Sequence, residues 1–304
     1  MFLEFNENIL KEIKTPFGSI NSFIKKDEQN IDQKTIDSFG EEWSKFDYFS
    51  KEEIEQVGND YFDILPDNIL EKETTTILDA GCGTGRWAKY LADKVKVIEC
   101  IDPSNAVLTA QHLLKKNENV RISKASVNHI PFANESFDFV FSLGVLHHIP
   151  DTEEGIKKCV EKVKYGGYFL VYLYYNLDNR GISFKIMFWL TNIVRLFISK
   201  LPQKLKSLLC DLLACIIYLP MIFLTKVVKT LLPFSKIYQR IPLSYYQNKS
   251  FRIIRNDSLD RFGTPLEKRF SKLEIKAMLK NAGLSNIVFS KKEPYWHAIG
   301  QKNK

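Results

Sequence analysis

A turn of alternating glycines follows an acidic residue in the first third of the chain. Residues 77–80 read ILDA and residues 81–85 read GCGTG. Glycines at these places allow a sharp backbone turn and the close approach of a ligand. The spacing is G-x-G-x-G, not the G-x-G-x-x-G of dinucleotide sites, and Asp79 would repel a pyrophosphate. The motif therefore predicts a site for a nucleoside that carries a positively charged amino group.

A second acid stands at the spacing at which a nucleotide site needs one. Asp102 ends the next apolar run, 21 residues after Gly81. An acid about 20 residues beyond a glycine turn is placed to accept hydrogen bonds from ribose hydroxyls. Asp79, the glycine turn and Asp102 each lie at a predicted strand end, so together they indicate one binding crevice.

Alternating strands and helices would position these residues. Strands are predicted at 74–80, 96–101, 120–123, 137–142 and 167–173, and helices at 87–93, 106–116 and 152–163. The strand at 167–173 is apolar throughout, as expected where helices cover both faces of a sheet. This alternation predicts an α/β fold with a parallel sheet and right-handed crossovers.

The motifs together resemble the class I S-adenosylmethionine-dependent methyltransferases. The glycine turn, FDFV at 137–140 with GVLHHIPD at 144–151, and YGGYFLV at 165–171 carry the resemblance, which covers about residues 70–175 well and the last 35 residues loosely. It implies a Rossmann-like, seven-stranded, mostly parallel sheet with helices on both faces. We expect a helical, substrate-side segment at 1–70, the cofactor-binding core at 71–177, a helical insertion at 178–250, and the completion of the sheet at 251–304.

The resemblance also implies which residues hold the cofactor, S-adenosylmethionine. The expected contacts are Asp79, Gly81, Cys82, Gly83, Gly85, Asp102, Pro103, Ser126, Val127, Leu143 and Gly144. Asp79 and the glycines would surround the methionine part, Asp102 the ribose, and Leu143 and Gly144 the sulfonium. Ser126 stands where the family commonly has an acid that contacts the adenine amino group. A hydroxyl accepts such a hydrogen bond less strongly than a carboxylate.

No motif fixes a catalytic base. The methyl group of the cofactor is already activated, so the enzyme mainly aligns an acceptor behind it and excludes water. His147 and Tyr175 are the catalytic candidates, and substrate contacts are expected at Tyr48, Arg261, Arg269 and His297. The five cysteines contain no C-x-x-C pair, so we expect neither a metal site nor a disulfide framework. A reducing, cytoplasmic setting fits this cysteine usage.

The insertion is both apolar and basic. Residues 181–256 hold twelve Lys or Arg and one acid, so their net charge is +11 against +7 for the whole chain. The apolar stretch 207–225 is marginal for a membrane-spanning helix, and Asp211 and Pro220 within it argue against spanning. We expect a helical lid over the substrate pocket, whose apolar faces pack on the core, on each other or on the anionic inner face of a membrane.

The expected function is methyl transfer to a small-molecule or lipid-linked acceptor, such as a glycolipid precursor, with oxygen the preferred atom. Two alternatives remain open: a nicotinamide-dependent oxidoreductase, which the glycine spacing disfavours, and a membrane-associated adaptor that has lost the cofactor. Nucleic acid is not an expected partner, because apolar residues outnumber basic ones in the insertion. The oligomeric state is left open.

Overall fold

The computed structural model describes residues 2–25, 27–45 and 50–303. The described chain divides into two compact units. The sheet unit comprises residues 1–178 and 266–304, and the helical unit comprises residues 179–265. The insertion therefore extends 15 residues beyond its expected end at residue 250, because the helix that follows residue 250 belongs to the helical unit.

One mixed sheet organises the sheet unit. Its strands in the described part of the chain are β1 (Lys11–Thr15), β2 (Gly18–Ser22), β3 (Thr76–Ala80), β4 (Val97–Ile101), β5 (Val120–Lys124), β6 (Phe137–Leu143), β7 (Val163–Tyr172), β8 (Leu284–Phe289) and β9 (His297–Lys302). Their spatial order is β1-β2-β5-β4-β3-β6-β7-β9-β8. Strands β3 to β7 pair in parallel, and β9 pairs antiparallel with β7 and β8.

The expected mostly parallel, Rossmann-like sheet is confirmed, but the predicted number of strands, seven, was too low, since the described sheet has nine. The hairpin β1–β2 lies beyond the seven expected strands, and β2 pairs in parallel with β5. The first 70 residues are therefore not wholly helical, although they do contain α1 (Gln33–Lys45) and α2 (Lys51–Tyr61). The hairpin has short strands with exposed residues, so it lacks the continuous apolar run that marks a buried strand.

The central strands are apolar because both of their faces are buried. Along β3, Ile77 packs into one core cluster and Leu78 into another. Along β6, Val140 belongs to the cluster of Leu78, whereas Phe139 belongs to that of Ile77. Successive side chains of a strand point to opposite faces, so two cores form, one on each side of the sheet.

Helices cover the two faces of the sheet. They are α3 (Arg86–Leu91), α4 (Ala106–Leu114), α5 (Thr152–Lys162) and α10 (Lys272–Asn281). The Asp151 side chain accepts a hydrogen bond from the backbone of Glu154 and so fixes the start of α5. Ser271 and Glu274 form a reciprocal capping box at the start of α10. Local side-chain chemistry thus sets where these helices begin.

The helical unit contains α6 (Ile182–Ile198), α7 (Gln203–Leu213), α8 (Leu219–Leu231) and α9 (Phe251–Gly263), with one turn of π-helix joining α7 to α8. Helix α9 is tied to this unit by polar contacts. Arg255 donates to both carboxylate oxygens of Asp211, at 2.8 and 2.6 Å, and Ser258 donates to the Cys210 carbonyl at 2.7 Å. Asp211, which argued against a membrane span, therefore has an internal partner.

Within the described residues, one continuous helical stretch has the length and composition of a membrane span. It runs from Gln203 to Leu231 over 29 residues, with a mean hydropathy of 2.3 in its most apolar window. Only 28% of that window is buried within the protein. Large apolar side chains of this stretch are exposed, among them Phe223 and Leu231, and so are Trp189 and Phe197 of α6.

Candidate cofactor and active site

The glycine turn joins β3 to α3 and is tightly packed. Gly81 and Cys82 donate their backbone N–H groups to the Ile101 carbonyl, at 2.8 and 2.9 Å. Gly81 has φ of 93°, and a Cβ at this position would lie 2.5 Å from Cγ2 of Val145. Gly85 has φ of 79° and begins α3. The glycines are required by both conformation and space.

Asp79 is a buried carboxylate without a partner. It is fully inaccessible to solvent, and neither carboxylate oxygen has a hydrogen-bond partner among the residues that the structure describes. Burial raises the pKa of Asp79 well above its usual value, and the nearby Asp102 raises it further, while Arg86 acts in the opposite direction. Buried polar groups are normally paired. Asp79 therefore fits a cationic ligand group such as an ammonium.

Asp102 follows β4 and links the two turns of the crevice. One of its oxygens accepts from the Gly83 backbone at 3.0 Å. The other accepts from the Ser104 backbone at 2.8 Å and from the Ser104 hydroxyl at 2.6 Å. An ionised carboxylate has about four acceptor positions, so Asp102 can accept a further hydroxyl donor. The same bonds hold it in place for such a donor.

Ser126 and Val127 follow β5 and are both buried. The Ser126 hydroxyl accepts from the Asn128 backbone at 3.2 Å. Strands β3, β4 and β5 are adjacent and parallel, so their carboxyl ends lie side by side. Asp79, Asp102 and Ser126 therefore follow one another along this row of strand ends. Ligands of open α/β sheets bind in such a crevice, outside the carboxyl ends of the strands. Pro103, half-buried, lies at the same edge.

The end of β6 leads from this crevice to His147. Leu143 is buried, and Gly144 has φ of 80° with open space where a side chain would be, since the nearest atom to its Cβ position is 4.0 Å away on Tyr172. His147 follows in a short 3-10 turn. The residues expected near the sulfonium and the first catalytic candidate are thus close neighbours on one loop.

His147 is a neutral, enclosed imidazole. It is inaccessible to solvent, and neither ring nitrogen has a hydrogen-bond partner in the described part of the chain. Burial lowers the pKa of His147 well below its usual value, and the charges of His148 and Arg269 lower it further. The ring stacks on Tyr174 with centroids 3.9 Å apart. An uncharged ring at neutral pH can accept a proton from a bound hydroxyl.

Tyr174 stacks on His147, whereas the catalytic candidate Tyr175 makes its ring contacts with other residues. The Tyr175 ring instead contacts Tyr295 and Trp296, with centroids 5.7 and 6.2 Å away. Tyr172 also lies near His147, at 6.3 Å between centroids. The sequence did contain a signal for this difference. In an extended chain successive side chains point to opposite sides, so Tyr172 and Tyr174 should share one side and Tyr175 should face the other.

Two of the expected substrate residues, Arg269 and His297, belong to the sheet unit and have different surroundings. Arg269 lies beside His147: it pairs with Glu267 at 2.7 Å, and its guanidinium is 5.0 Å from the Tyr174 ring centroid. His297 is buried with both ring nitrogens 2.8 Å from acceptors, on Pro294 and Asp63, which leaves neither for a substrate.

The remaining expected site residues with a separate outcome are Arg261, Tyr48 and Cys82. Arg261 belongs to the helical unit, where its guanidinium lies 4.3 Å from the Phe188 ring centroid. Tyr48 falls outside the described residues. Cys82 is buried, and a hydrogen bond with Cys100, together with burial, raises the pKa of its thiol. In the part of the chain with described positions, no three His, Cys, Asp or Glu residues cluster in a way that could hold a metal.

Comparison with known proteins identifies the domain. A methyltransferase domain family matches residues 78–171. An uncharacterised methyltransferase of Mycobacterium tuberculosis is 28% identical over 131 residues, which span 43% of this chain and 66% of that protein. Phosphoethanolamine N-methyltransferase 2 of Caenorhabditis elegans is 34% identical over 107 residues, which span 34% of this chain and 24% of that protein. The chain thus matches less than two thirds of either relative's length.

The fold agrees with this match. A chain from the complex between a Haloferax volcanii methyltransferase activator and a methyltransferase superposes with a TM-score of 0.51 at 12% identity, covering 88% of this chain and 99% of that one. At this identity the likeness concerns the fold alone. The match to a methyltransferase domain over residues 78–171 and this likeness in fold agree with the resemblance of the chain to the class I S-adenosylmethionine-dependent methyltransferases.

Proposed function

We propose that this protein binds S-adenosylmethionine across the carboxyl ends of β3, β4 and β5 and transfers its methyl group to an acceptor. The observation that carries the proposal is Asp79, a buried carboxylate whose oxygens have no hydrogen-bond partner among the described residues. Leaving a buried charged group unpaired is costly, and a ligand ammonium would relieve that cost.

The neighbouring residues suit the other parts of this cofactor. Asp102 retains acceptor capacity for ribose hydroxyls, and Pro103 and Val127 offer apolar surface to the adenine. Leu143 and Gly144 would lie near the sulfonium, because their loop follows the strand next to Asp79. The bound cofactor supplies an activated methyl group, and the protein orients an acceptor behind it.

We further propose an apolar or lipid-linked acceptor that reacts through oxygen. His147 supports oxygen, because neither of its ring nitrogens has a hydrogen-bond partner among the described residues, so one of them could take the proton that a hydroxyl loses on methylation. The stacked Tyr174 and the fully buried position of His147 would exclude water from that step. The nematode relative is named an N-methyltransferase, so a nitrogen acceptor is the result that would contradict this part.

Calorimetric titration tests the cofactor assignment. The protein is titrated with S-adenosylhomocysteine and, separately, with NAD. We expect binding of S-adenosylhomocysteine only, and binding of NAD alone would end the proposal. If Asp79→Ala left the activity in cells unchanged, a non-catalytic adaptor would be the better description.

Labelled cofactor then tests the acceptor class. The protein is incubated with S-adenosylmethionine that carries a labelled methyl group and with fractionated cell extract. Label in the organic phase supports a lipid acceptor, whereas label only in water-soluble small molecules overturns it. Base hydrolysis or mass spectrometry of the labelled product distinguishes an oxygen-linked from a nitrogen-linked methyl group.

The helical unit supports a peripheral contact with an anionic membrane, on the cytoplasmic side, as part of the same proposal. Its exposed large apolar residues include Trp189 and Phe197, and its exposed basic residues include Lys185 and Lys200. Apolar burial combined with attraction to anionic lipid holds amphipathic helices at a membrane interface.

Vesicle flotation tests this contact. We expect flotation with vesicles that contain phosphatidylglycerol, weaker flotation with phosphatidylcholine alone, and loss of binding on Trp189→Ser with Phe197→Ser. Leu273→Ser is the matched control, because Leu273 is an equally exposed apolar residue of the sheet unit. Equal loss with the control variant, or no flotation of the unaltered protein, would contradict the contact.

A further inference from the structure

The turn that follows β5, residues 125–129, contains no acidic residue that could contact the nucleobase of a bound nucleoside. Ser126 is buried there, and its hydroxyl already accepts from the Asn128 backbone at 3.2 Å. The order of the strand ends places Asp79 first, Asp102 second and Ser126 third along the crevice. Neighbouring strands are about 4.8 Å apart, so Ser126 lies about 10 Å from Asp79 along the crevice. With the amino-acid end of the nucleoside at Asp79 and its ribose at Asp102, its base reaches Ser126.

A segment from the N-terminal part of the chain is fastened onto this turn. Asn128 donates from its side chain to the Gln29 carbonyl at 2.5 Å, and Asn30 donates to the Asn128 side chain at 3.3 Å. Asn30 also donates to the Asp151 carbonyl at 2.9 Å and accepts from the Asp151 backbone. These bonds join positions about 100 residues apart in sequence, so they fix the segment at the base end of the crevice.

The hydrogen bonds of Gln29 and Asn30 position the preceding residue, Glu28. Both of its carboxylate oxygens are buried, and neither has a hydrogen-bond partner among the described residues. Burial raises the pKa of Glu28; the adjacent Ser126 hydroxyl and the charge of His129 offset part of that rise. Buried acceptors without partners are rare in folded proteins. Glu28 therefore stands beside Ser126 as a second buried carboxylate with open acceptor positions, because contact with the Ser126 hydroxyl can satisfy at most one of them.

We propose that Glu28 accepts a hydrogen bond from the exocyclic amino group of the adenine and so selects adenine over other bases. The inference rests on the proposed function, since it needs the nucleoside of S-adenosylmethionine in the crevice. A carboxylate is a stronger acceptor for an amino group than the Ser126 hydroxyl. It also disfavours a base that carries a carbonyl in place of that amino group, because two acceptors would then face each other.

Replacement of the ligand amino group by a carbonyl tests the assignment. S-inosylhomocysteine carries a carbonyl in place of the amino group of S-adenosylhomocysteine, with a hydrogen on the neighbouring ring nitrogen, and the dissociation constants of the two ligands are measured by calorimetry. A hydrogen bond to a charged group contributes enough for the unaltered protein to prefer the adenosyl ligand by about 10- to 100-fold. Glu28→Gln, whose amide can donate to the carbonyl, is expected to reduce that preference to below about 5-fold, mainly by improving the inosyl ligand.

Two further variants separate this role from a general effect of the segment. Asp27→Asn makes the same change of charge at the neighbouring, exposed residue and is expected to keep the full preference. Glu28→Ser combined with Ser126→Asp moves the carboxylate onto the turn itself and is expected to restore the preference that Glu28→Ser alone removes. This rescue would not occur if Glu28 only supported the fold.

The outcomes distinguish the two proposals. If the unaltered protein binds neither ligand, the proposed function fails, and this inference fails with it. If it binds S-adenosylhomocysteine but Glu28→Gln keeps the original preference, the proposed function stands and the role of Glu28 is refuted. An equal loss of affinity for both ligands in Glu28→Gln would likewise refute selective recognition of the amino group.

Discussion

Replacement of Asp79 by Asn should separate the amino-acid end of the cofactor from its nucleoside. Asp79→Asn keeps the shape of the side chain but removes the only charge that we assign to the ligand ammonium. Removal of one partner from a buried charge pair costs about 3–5 kcal/mol. At about 1.4 kcal/mol per tenfold, the affinity for S-adenosylhomocysteine should fall by about 150- to 4,000-fold. The full burial of Asp79 justifies the use of the buried-pair range.

The assay compares two ligands by calorimetry. 5′-Methylthioadenosine shares the adenine, the ribose and the sulfur with S-adenosylhomocysteine but has no ammonium or carboxylate. Its affinity should change by less than about threefold in Asp79→Asn, because no unpaired ligand charge is left buried. Asp138→Asn serves as the control. Asp138 is the second residue of β6, so it lies at the amino ends of the strands, away from the crevice at their carboxyl ends. There it accepts hydrogen bonds from Thr76 and Lys164. The control should bind both ligands normally.

Two results would refute this reasoning. An equal loss of affinity for both ligands would show that Asp79 supports the glycine turn and not the ammonium. Unchanged affinity for S-adenosylhomocysteine would place the ammonium elsewhere. Circular dichroism and thermal unfolding of Asp79→Asn show whether the fold is intact, so that a loss of binding can be assigned to the ligand contact.

Four further predictions concern proton release on ligand binding, the space at Gly81, the pH dependence of stability and the rate of methyl transfer. Because Asp79 has a raised pKa and must ionise to pair with an ammonium, S-adenosylhomocysteine binding should release a proton and should strengthen as pH rises through that pKa; titrations in buffers of different ionisation enthalpy measure the release. Gly81→Ala should cost about 2–5 kcal/mol in urea unfolding, since its Cβ would overlap Val145, whereas Gly166→Ala, with a similar positive φ and open space, should cost only about 1 kcal/mol. Asp138→Asn should cost about 1 kcal/mol at pH 7, because hydrogen bonds from Lys164 and Thr76 outweigh burial and lower the pKa of this carboxyl; the difference should begin to shrink at about pH 4, the usual carboxyl pKa, and should disappear as pH falls through the lowered pKa. His147→Phe keeps the stacking but removes the nitrogens, so it should slow methyl transfer by about 100-fold or more while S-adenosylhomocysteine affinity changes little; an unchanged rate would remove His147 as the base.

The features that the sequence predicted correctly are local in the chain. The glycine turn is separated from Asp79 by one residue, and the turn follows a strand that is buried and, apart from Asp79, mostly apolar up to Ala80. Asp102 is separated from Gly81 by one helix and one strand, a distance that βαβ geometry restricts. The five central strands were predicted to within four residues at each end, and the largest error is at β7, which begins four residues before its predicted start. In β3, β4 and β6 burial on both faces leaves a mostly apolar signal, whereas β5 is a mixed, partly buried strand.

The features that sequence reasoning missed depend on distant contacts. Glu28 meets Ser126 across nearly 100 residues, and nothing around Glu28 distinguishes it from the other acids near it. Tyr174 and Tyr175 are adjacent and identical in type, so only the direction of each side chain separates them. The insertion ends at residue 265 because Arg255 and Ser258 bond to α7, and this pairing has no local pattern.

The hairpin β1–β2 has a consequence for how the molecule behaves in concentrated solution. It occupies the hydrogen-bonding edge of β5, and its own outer strand β1 is short and carries Lys11 and Lys14 on exposed positions. Unpaired strand edges recruit further strands, and lysines on a short outermost strand discourage such recruitment. The hairpin thus acts as a guard against edge-to-edge aggregation, and fragments that begin after Ser22 would expose β5 and self-associate.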